Sequence, residues 1–246
     1  MIEALPSAGE SAALIATVAL TGVVRGFTGG IGSNAVMAPA LALLVGPQRA
    51  VPMMLMINVV TSMQLIPDAV RHAHWREVLP MGLAGIAMAP VGIYLLYVMD
   101  EAVMRRAVAV VAMTLTVILI AGWRYAGPRS LPLATGVGSL SGLLNGAVGV
   151  GGPPVIFYLM SGPHDASVVR SSFTIFISMV QTFSLIVFLF TGAFPPDQLV
   201  RCAIMVPPFA LGIWAGTHLF RRSSEALFRR VALGLMLAVS VAALVA

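Results

Sequence analysis

Long apolar stretches, separated by short polar or glycine-rich segments, run through the whole chain. Stretches long enough to cross a bilayer, which takes about 20 residues, predict transmembrane helices at 50–67, 78–98, 103–122, 166–191, 197–219 and 226–246. Residues 11–45 and 131–161 are also apolar, but a glycine-rich run divides each into two short segments. A helix of about 13 residues spans only about 20 Å. Each of these regions is therefore predicted to be a re-entrant helical hairpin or a pair of short crossings.

Glycines recur at every fourth position in two places. These ladders are Gly22, Gly26 and Gly30 and, 116 residues later (138 − 22), Gly138, Gly142 and Gly146. A second match places Glu225–Arg230 124 residues (225 − 101) after Glu101–Arg106. Repeats of this kind constrain the architecture before any other signal. We predict two copies of one unit, at residues 1–125 and 126–246.

The number of crossings predicts how the two copies are related. Each copy has five crossings if the short helices cross and three crossings plus a hairpin if they do not. Both numbers are odd, so the second copy enters the membrane from the opposite side, as in many secondary transporters. The predicted fold is an all-α polytopic membrane protein of two inverted repeats. Each repeat contains a Gly-rich re-entrant or short helical hairpin followed by three transmembrane helices.

Composition supports a membrane protein. The chain is 59% hydrophobic and only 9% charged, whereas soluble domains carry about 25% charged residues. Cys202 is the single cysteine, which excludes an intrachain disulfide and offers no metal or redox motif. The net charge of +5 is typical of basic loops at a membrane surface. We therefore expect the lipid bilayer, and no nucleic acid, as a partner.

The loop arginines predict the orientation. One predicted side carries Arg71, Arg76, Arg124, Arg129, Arg170, Arg221, Arg222, Arg229 and Arg230. The opposite side carries Arg49, Arg105, Arg106 and Arg201. Cytoplasmic loops are enriched in basic residues. The first group is therefore predicted to be cytoplasmic, with both termini outside.

The glycine-rich tips of the two hairpins are the strongest candidates for a binding site. The residues concerned are Gly29, Gly30, Gly32, Ser33 and Asn34, and Gly149, Gly151, Gly152 and Pro153. Ser and Asn are favoured N-caps, and proline suits the first turn of a helix. Both returning helices would then direct free N–H groups inward, which suits an anion. For the regular ladders we favour the alternative of close helix packing.

Polar residues line one face of the helix after each hairpin. These residues are Asn58, Thr61 and Ser62, and Thr174, Ser178, Gln181 and Thr182. Asn58, Ser178 and Gln181 are the members that we place on a substrate pathway, with interhelical hydrogen bonding as the alternative. Arg25 is the only charge inside the hairpin sequences. It would contact an anionic substrate, cap a helix or extend to the membrane surface.

Other charged residues are confined to the predicted loops and to the ends of the predicted spans. No Asp, Glu or His lies in the middle of a predicted span, which excludes a buried carboxylate relay and a Ser-His protease. Asp68, His72, His74 and Glu77 share one short loop. A metal site needs converging ligands that no further cluster supplies, so we expect a solvated loop. We expect no enzyme activity, no cofactor and no bound metal. A coupling ion, if it is a proton, would travel with the substrate or with carboxylates at the loop edges.

Two stretches resemble a known family. GFTGGIGSNAVMAPALALLVGPQRAV (26–51) and GLLNGAVGVGGPPVIFYLMSGPHDAS (142–167) are similar to the two repeats of the TauE/SafE family of sulfite and sulfonate exporters. Ser33-Asn34 departs from the family's glycine-rich pattern. The resemblance implies a bacterial inner-membrane transporter of small, often sulfur-containing anions that runs on an ion gradient. The chain has no Walker A motif for ATP.

The resemblance leads to one functional hypothesis and two alternatives. The hypothesis is a secondary transporter of sulfite, sulfoacetate or related sulfonates that works by alternating access at the interface of the repeats. One alternative is a channel for an anion or small solute, and the other is a membrane scaffold subunit that transports nothing. The sequence does not indicate the oligomeric state.

Overall fold

The computed structural model of the protein describes residues 8–28, 33–63, 66–121, 127, 130–162 and 164–220. Over these residues the chain forms ten α-helices and no strand, which confirms the predicted all-α class. The helices are α1 (Ala8–Thr28), α2 (Ser33–Val45), α3 (Pro47–Ser62), α4 (Ile66–His72), α5 (Trp75–Val98), α6 (Glu101–Ile120), α7 (Leu131–Val148), α8 (Gly152–Met160), α9 (Ala166–Phe190) and α10 (Pro196–Phe220). The predicted helix 226–246 lies outside the described residues.

Glycine and proline set several helix boundaries. Gly46 has a φ of 77°, and Pro47 follows it as the first residue of α3, where a missing N–H costs nothing. α3 ends at Ser62 rather than at the predicted residue 67, and the short helix α4 begins at Ile66. Pro67 explains this difference, because it has no N–H to continue α3 and fits the first turn of a new helix.

Several helices have the length and composition of membrane spans. Within the described residues, four segments qualify: Trp75–Val98, Leu131–Val148, Ser167–Phe190 and Pro196–Gly216. Large apolar side chains on their outer faces are more than half exposed, namely Leu83, Tyr94, Leu211 and Trp214. Such a surface is unfavourable in water and suits lipid. The chain is therefore a multi-pass membrane protein.

The two predicted hairpins each combine a long helix with a short one. α1 has 21 residues and α7 has 18, which is about 32 Å and about 27 Å of helix. α2 has 13 residues and α8 has nine, about 20 Å and about 14 Å. Neither short helix can cross a hydrocarbon core of about 30 Å by itself.

The glycine ladders allow pairs of helices to touch along their backbones. α5 packs along α7, and α1 packs along α10, more extensively than any other described pair. A Cβ atom built at Gly142 would overlap the carbonyl oxygen of Gly85, and one built at Gly26 would overlap that of Ile213. The ladder residues therefore serve close helix packing, as we favoured from the sequence. Gly30 lies outside the described residues.

These contacts connect the two predicted repeats in a reciprocal way. The first helix of one repeat, α1, packs on α10 of the other, and the first helix of the second repeat, α7, packs on α5 of the first. Between these pairs, α3 packs on α9, its counterpart in the other repeat. Such an exchange is expected of two related copies. The inverted orientation of the copies stays a prediction.

Candidate functional site

The glycine-rich run of the second hairpin breaks the helix between α7 and α8. α7 ends at Val148, and Gly149 adopts a left-handed conformation with a φ of 74° while its N–H donates to the carbonyl of Asn145. α8 begins at Gly152, with proline in its first turn. This confirms the broken helix predicted for this cluster, because a left-handed residue favours glycine and a proline favours a helix start.

The backbone at this break is tightly enclosed. A Cβ atom at Gly149 would overlap the terminal methyl group of Met54 on α3. A Cβ atom at Gly151 would overlap the carbonyl oxygen of Ser141, one of the residues of α7 itself. The cluster therefore needs glycine for packing as well as for the turn. Gly151 and Pro153 are buried, and Gly152 is partly buried against the ring of Phe173.

A chain of hydrogen bonds connects the first hairpin with this break. Arg25 donates from Nη1 to Oδ1 of Asn58 over 2.7 Å and from Nη2 to Oγ of Ser62 over 2.7 Å. Asn58 donates from Nδ2 to Oδ1 of Asn34 over 3.1 Å. Asn34 in turn donates from Nδ2 to the carbonyl oxygen of Gly149 over 3.0 Å. Four segments, α1, α2, α3 and the end of α7, therefore meet in one polar network.

Arg25 brings a positive charge into this network without a negative partner. Its hydrogen-bond acceptors, Asn58 and Ser62, are neutral and buried. The guanidinium carbon also lies 5.9 Å from the ring centroid of the buried Phe209. Over the ranges that the structure describes, no carboxylate forms an ion pair with Arg25. Since a charge in an apolar environment is unfavourable unless it is paired, this guanidinium is suited to attract an anion.

A second group of buried polar side chains lies in the other repeat. Asn145 on α7 donates from Nδ2 to Oγ of Ser184 on α9 over 3.2 Å. Within the described part of the chain, no hydrogen-bond partner reaches Ser141 Oγ, Ser178 Oγ, Gln181 Nε2 or Asn145 Oδ1. Ser184 and the four residues with these unpaired atoms are all buried, at most 9% exposed. Three of these atoms, the two hydroxyls and the amide nitrogen of Gln181, can donate to an acceptor.

The repeat offset relates the two polar groups to each other. Arg25 corresponds to Ser141 (25 + 116), and Ser62 corresponds to Ser178 (62 + 116). In the first repeat, Arg25 donates a hydrogen bond to Ser62. In the second repeat, where serine replaces arginine, both hydroxyls lack a partner within the described residues. The two halves therefore share a scaffold and differ in charge and in hydrogen bonding.

The structure joins some of the predicted site residues and leaves others apart. Arg25, Asn34, Asn58 and Gly149 are in one network, whereas Ser178 and Gln181 belong to the second group. Ser33 is buried at the start of α2. Gly29, Gly30 and Gly32 lie outside the described residues.

Sequence reasoning did not place Ser62, Ser141, Asn145 and Ser184 in the site. The sequence pattern did point to Ser62, since this residue lies on the same polar helix face as Asn58. The repeat offset pointed to Ser141, because this residue is the counterpart of Arg25. Asn145 stands four residues before Gly149, one helical turn from the break. Only the contact between α7 and α9 identifies Ser184 as its partner.

Comparison with known proteins identifies the family. The family model described as sulfite exporter TauE/SafE matches residues 14–243. The chain belongs to this family. A TauE/SafE relative from Cupriavidus necator, named "Probable sulfite/organosulfonate exporter TauE", is 24% identical over 246 residues, which covers 97% of this chain and 90% of the relative. No solved structure matches the chain. A family of exporters agrees with the expectation that the chain is not an enzyme.

Proposed function

We propose that the protein is a secondary transporter of small sulfur-containing anions such as sulfite, sulfoacetate or related sulfonates. Family membership and the name of the Cupriavidus necator relative support the substrate class. The observation that carries the proposal is Arg25, a cation whose described hydrogen-bond partners are all neutral. An anion is the ligand that such a site lacks.

The chemistry of Arg25 fits a sulfite or sulfonate group. A guanidinium has five N–H donors, and the hydrogen bonds to Asn58 and Ser62 use one on each terminal nitrogen. The remaining donors can hold two oxygen atoms of one anion in a fork geometry. Asn58 and Ser62 keep the guanidinium plane in place, and Phe209 covers part of it with an aromatic ring.

The second polar group supplies the donors for the opposite side of the substrate or for a neighbouring position on its path. Ser141, Ser178 and Gln181 together present two hydroxyl groups and one amide as buried donors. Sulfonate and sulfite oxygens accept such hydrogen bonds, and leaving these donors unpaired is unfavourable. The substrate therefore moves along a path lined by Arg25, the break at Gly149 and this second group.

Transport takes place by alternating access at the interface of the two repeats. The Asn34–Gly149 hydrogen bond joins the first repeat to the second at the glycine-rich break. The pairs α1–α10 and α5–α7 move as units, because their backbones are in direct contact. The protein resides in the bacterial inner membrane with both termini outside, and an ion gradient, for example of protons, supplies the energy.

Binding of anions to purified protein tests the site. Arg25→Gln removes the charge and keeps a polar side chain, and Arg106→Gln is the matched control because Arg106 is exposed on α6. We expect sulfite or sulfoacetate to raise the melting temperature of the parent and of Arg106→Gln. Loss of a charged hydrogen bond is worth about 1.5–3 kcal/mol, so calorimetric affinity should fall about 10- to 150-fold in Arg25→Gln. Unchanged affinity in Arg25→Gln would contradict the proposed site.

Flux measurements test the transport mechanism separately. Proteoliposomes loaded with unlabelled sulfite should accumulate labelled sulfite transiently, because a carrier exchanges substrate across the membrane. Saturable flux with this counterflow supports a secondary transporter. Unitary currents without counterflow would support a channel, and the absence of both binding and flux would support a scaffold role.

A further inference from the structure

Two histidines and a glutamate converge at the starts of α5 and α9. His74 directly precedes α5, Glu77 lies in its first turn, and His164 precedes α9. Nδ1 of His74 and Nε2 of His164 each lie 3.7 Å from Oε2 of Glu77. All three ligand atoms are within 4.8 Å of one another.

This arrangement changes the expectation for the loop that contains His72 and His74. The sequence offered only local partners, and we expected a solvated segment without metal. The structure brings in His164, which is 90 residues away (164 − 74) and belongs to the other predicted repeat. His72 is exposed, and the side chain of Asp68 lies outside the described residues.

The two ring nitrogens have no hydrogen-bond partner within the described chain. Both His74 Nδ1 and His164 Nε2 are buried atoms. Their 3.7 Å distances to Glu77 are longer than a hydrogen bond. The imidazole rings are 4.5 Å apart at an interplanar angle of 41°. Two buried nitrogens that face one carboxylate without hydrogen bonding to it are unfavourable unless a further group fills the space between them.

We propose that His74, Glu77 and His164 form a binding site for Zn²⁺ or a similar transition-metal ion. Ligand atoms at 2.0–2.2 Å from a tetrahedral ion are about 3.3–3.6 Å apart. The two 3.7 Å separations therefore need to contract by only a few tenths of an ångström. The two ring nitrogens are within 4.8 Å of each other and need to approach by about 1.5 Å or less. Two imidazoles and one carboxylate favour zinc, cobalt or nickel over magnesium or calcium, which prefer oxygen ligands. Water would complete the coordination.

The surroundings hold the ligands in position. The backbone N–H of His74 donates to Oγ of the buried Ser172 on α9 over 2.9 Å. The His74 side chain is 37% exposed, which leaves a route for the ion from solvent. A bound ion would therefore link the start of α5 in the first repeat with the start of α9 in the second. This site shares no residue with the proposed anion site and does not depend on the transport proposal.

Metal binding to the purified full chain tests the proposal. The protein is purified with an affinity tag free of histidine, stripped with a chelator and titrated with Zn²⁺ by calorimetry. We expect one ion per chain and, with Co²⁺, the intense visible absorption of a tetrahedral site. Loss of an outer-shell partner lowers metal affinity about 10- to 100-fold. Loss of a direct ligand in His164→Ala or Glu77→Gln should therefore lower it by about 100-fold or more.

Two further histidines of the chain provide matched controls. His72→Ala and His218→Ala each remove an imidazole outside the cluster, and both should bind zinc like the parent. Glu77→Gln preserves size and shape and carries the test if an alanine variant does not fold. Absence of saturable binding in the parent overturns the proposal. Equal affinity in Glu77→Gln, His164→Ala and the parent overturns it as well.

Discussion

Gly142→Ala should destabilise the protein because it forces α5 and α7 apart. The new Cβ atom would overlap the carbonyl oxygen of Gly85 and would lie 2.6 Å from its Cα atom. Both are backbone atoms of a helix, so no side chain can rotate out of the way. The helices must therefore separate, and this affects the most extensive helix pair in the described structure.

The size of the effect follows from the contact distance. Non-bonded carbon atoms prefer a separation of about 3.5 Å or more, so the backbones must move apart by about 1 Å. A gap of this size forfeits about a quarter to a half of the dispersion energy of each affected contact. Overpacking of this kind typically costs about 1–3 kcal/mol. For a chain of this length that corresponds to a fall in melting temperature of roughly 2 to 12 °C.

Gly136→Ala provides a control in the same helix. Gly136 is exposed on α7, and a Cβ atom built there would meet no heavy atom within 4 Å. Alanine is favoured over glycine in a helix by about 0.8–1.0 kcal/mol, so this variant should melt at or above the temperature of the parent. Thermal unfolding in detergent, followed by tryptophan fluorescence, measures both changes.

The opposite signs of the two changes make the comparison decisive. If Gly142→Ala melts like the parent, or if Gly136→Ala loses as much stability, the close approach of α5 and α7 is wrong. Gly26→Ala extends the comparison to α1 and α10, where the new Cβ atom would overlap the carbonyl oxygen of Ile213. We expect a fall in melting temperature of the same size for Gly26→Ala, since the predicted repeat relates the α1–α10 pair to the α5–α7 pair.

Two further predictions concern the polar network and the membrane topology. Asn34→Leu should lower the free energy of unfolding by about 1–3 kcal/mol for each hydrogen-bonding partner left unpaired, chiefly the buried amide of Asn58. The same change should reduce transport in proteoliposomes. Stability and flux equal to those of the wild type would refute the role of the network. Single cysteines at Ala102 and Ala226 in a Cys202→Ser background should be labelled from opposite sides of the membrane. Labelling of both from one side would refute the inverted repeat. Ala226 itself lies outside the described residues.

Local sequence signals predicted the features that depend on backbone conformation. Gly149 could be assigned to a helix break because glycine tolerates a positive φ, and Pro153 to a helix start because proline lacks an N–H. The regular spacing of Gly138 and Gly142 indicated a contact face, which the structure places against α5. These signals act over a few residues, so they can be recognised without knowledge of the fold.

The partners of the site residues could not be predicted in the same way. The hydrogen bond between Arg25 and Ser62 depends on how α1 crosses α3, and that crossing follows from the packing of the whole bundle. His164 stands next to Glu77 for a similar reason, since the starts of α5 and α9 are far apart in the sequence and close in space. Sequence periodicity assigns a residue to a face of its own helix and does not identify the helix that packs against that face.

The two halves combine related packing with different chemistry, and an alternating-access transporter would need both. Reciprocal contacts of α1 with α10 and of α5 with α7 give each half a similar attachment to the other. Inward-open and outward-open arrangements of such halves would then have similar energies, as rapid exchange requires. A charge at Arg25 and neutral donors at Ser141 and Ser178 make the two walls of the proposed path unequal. An anion would therefore bind closer to the first repeat in both states, and exchanging Arg25 with Ser141 should move its binding position without removing it.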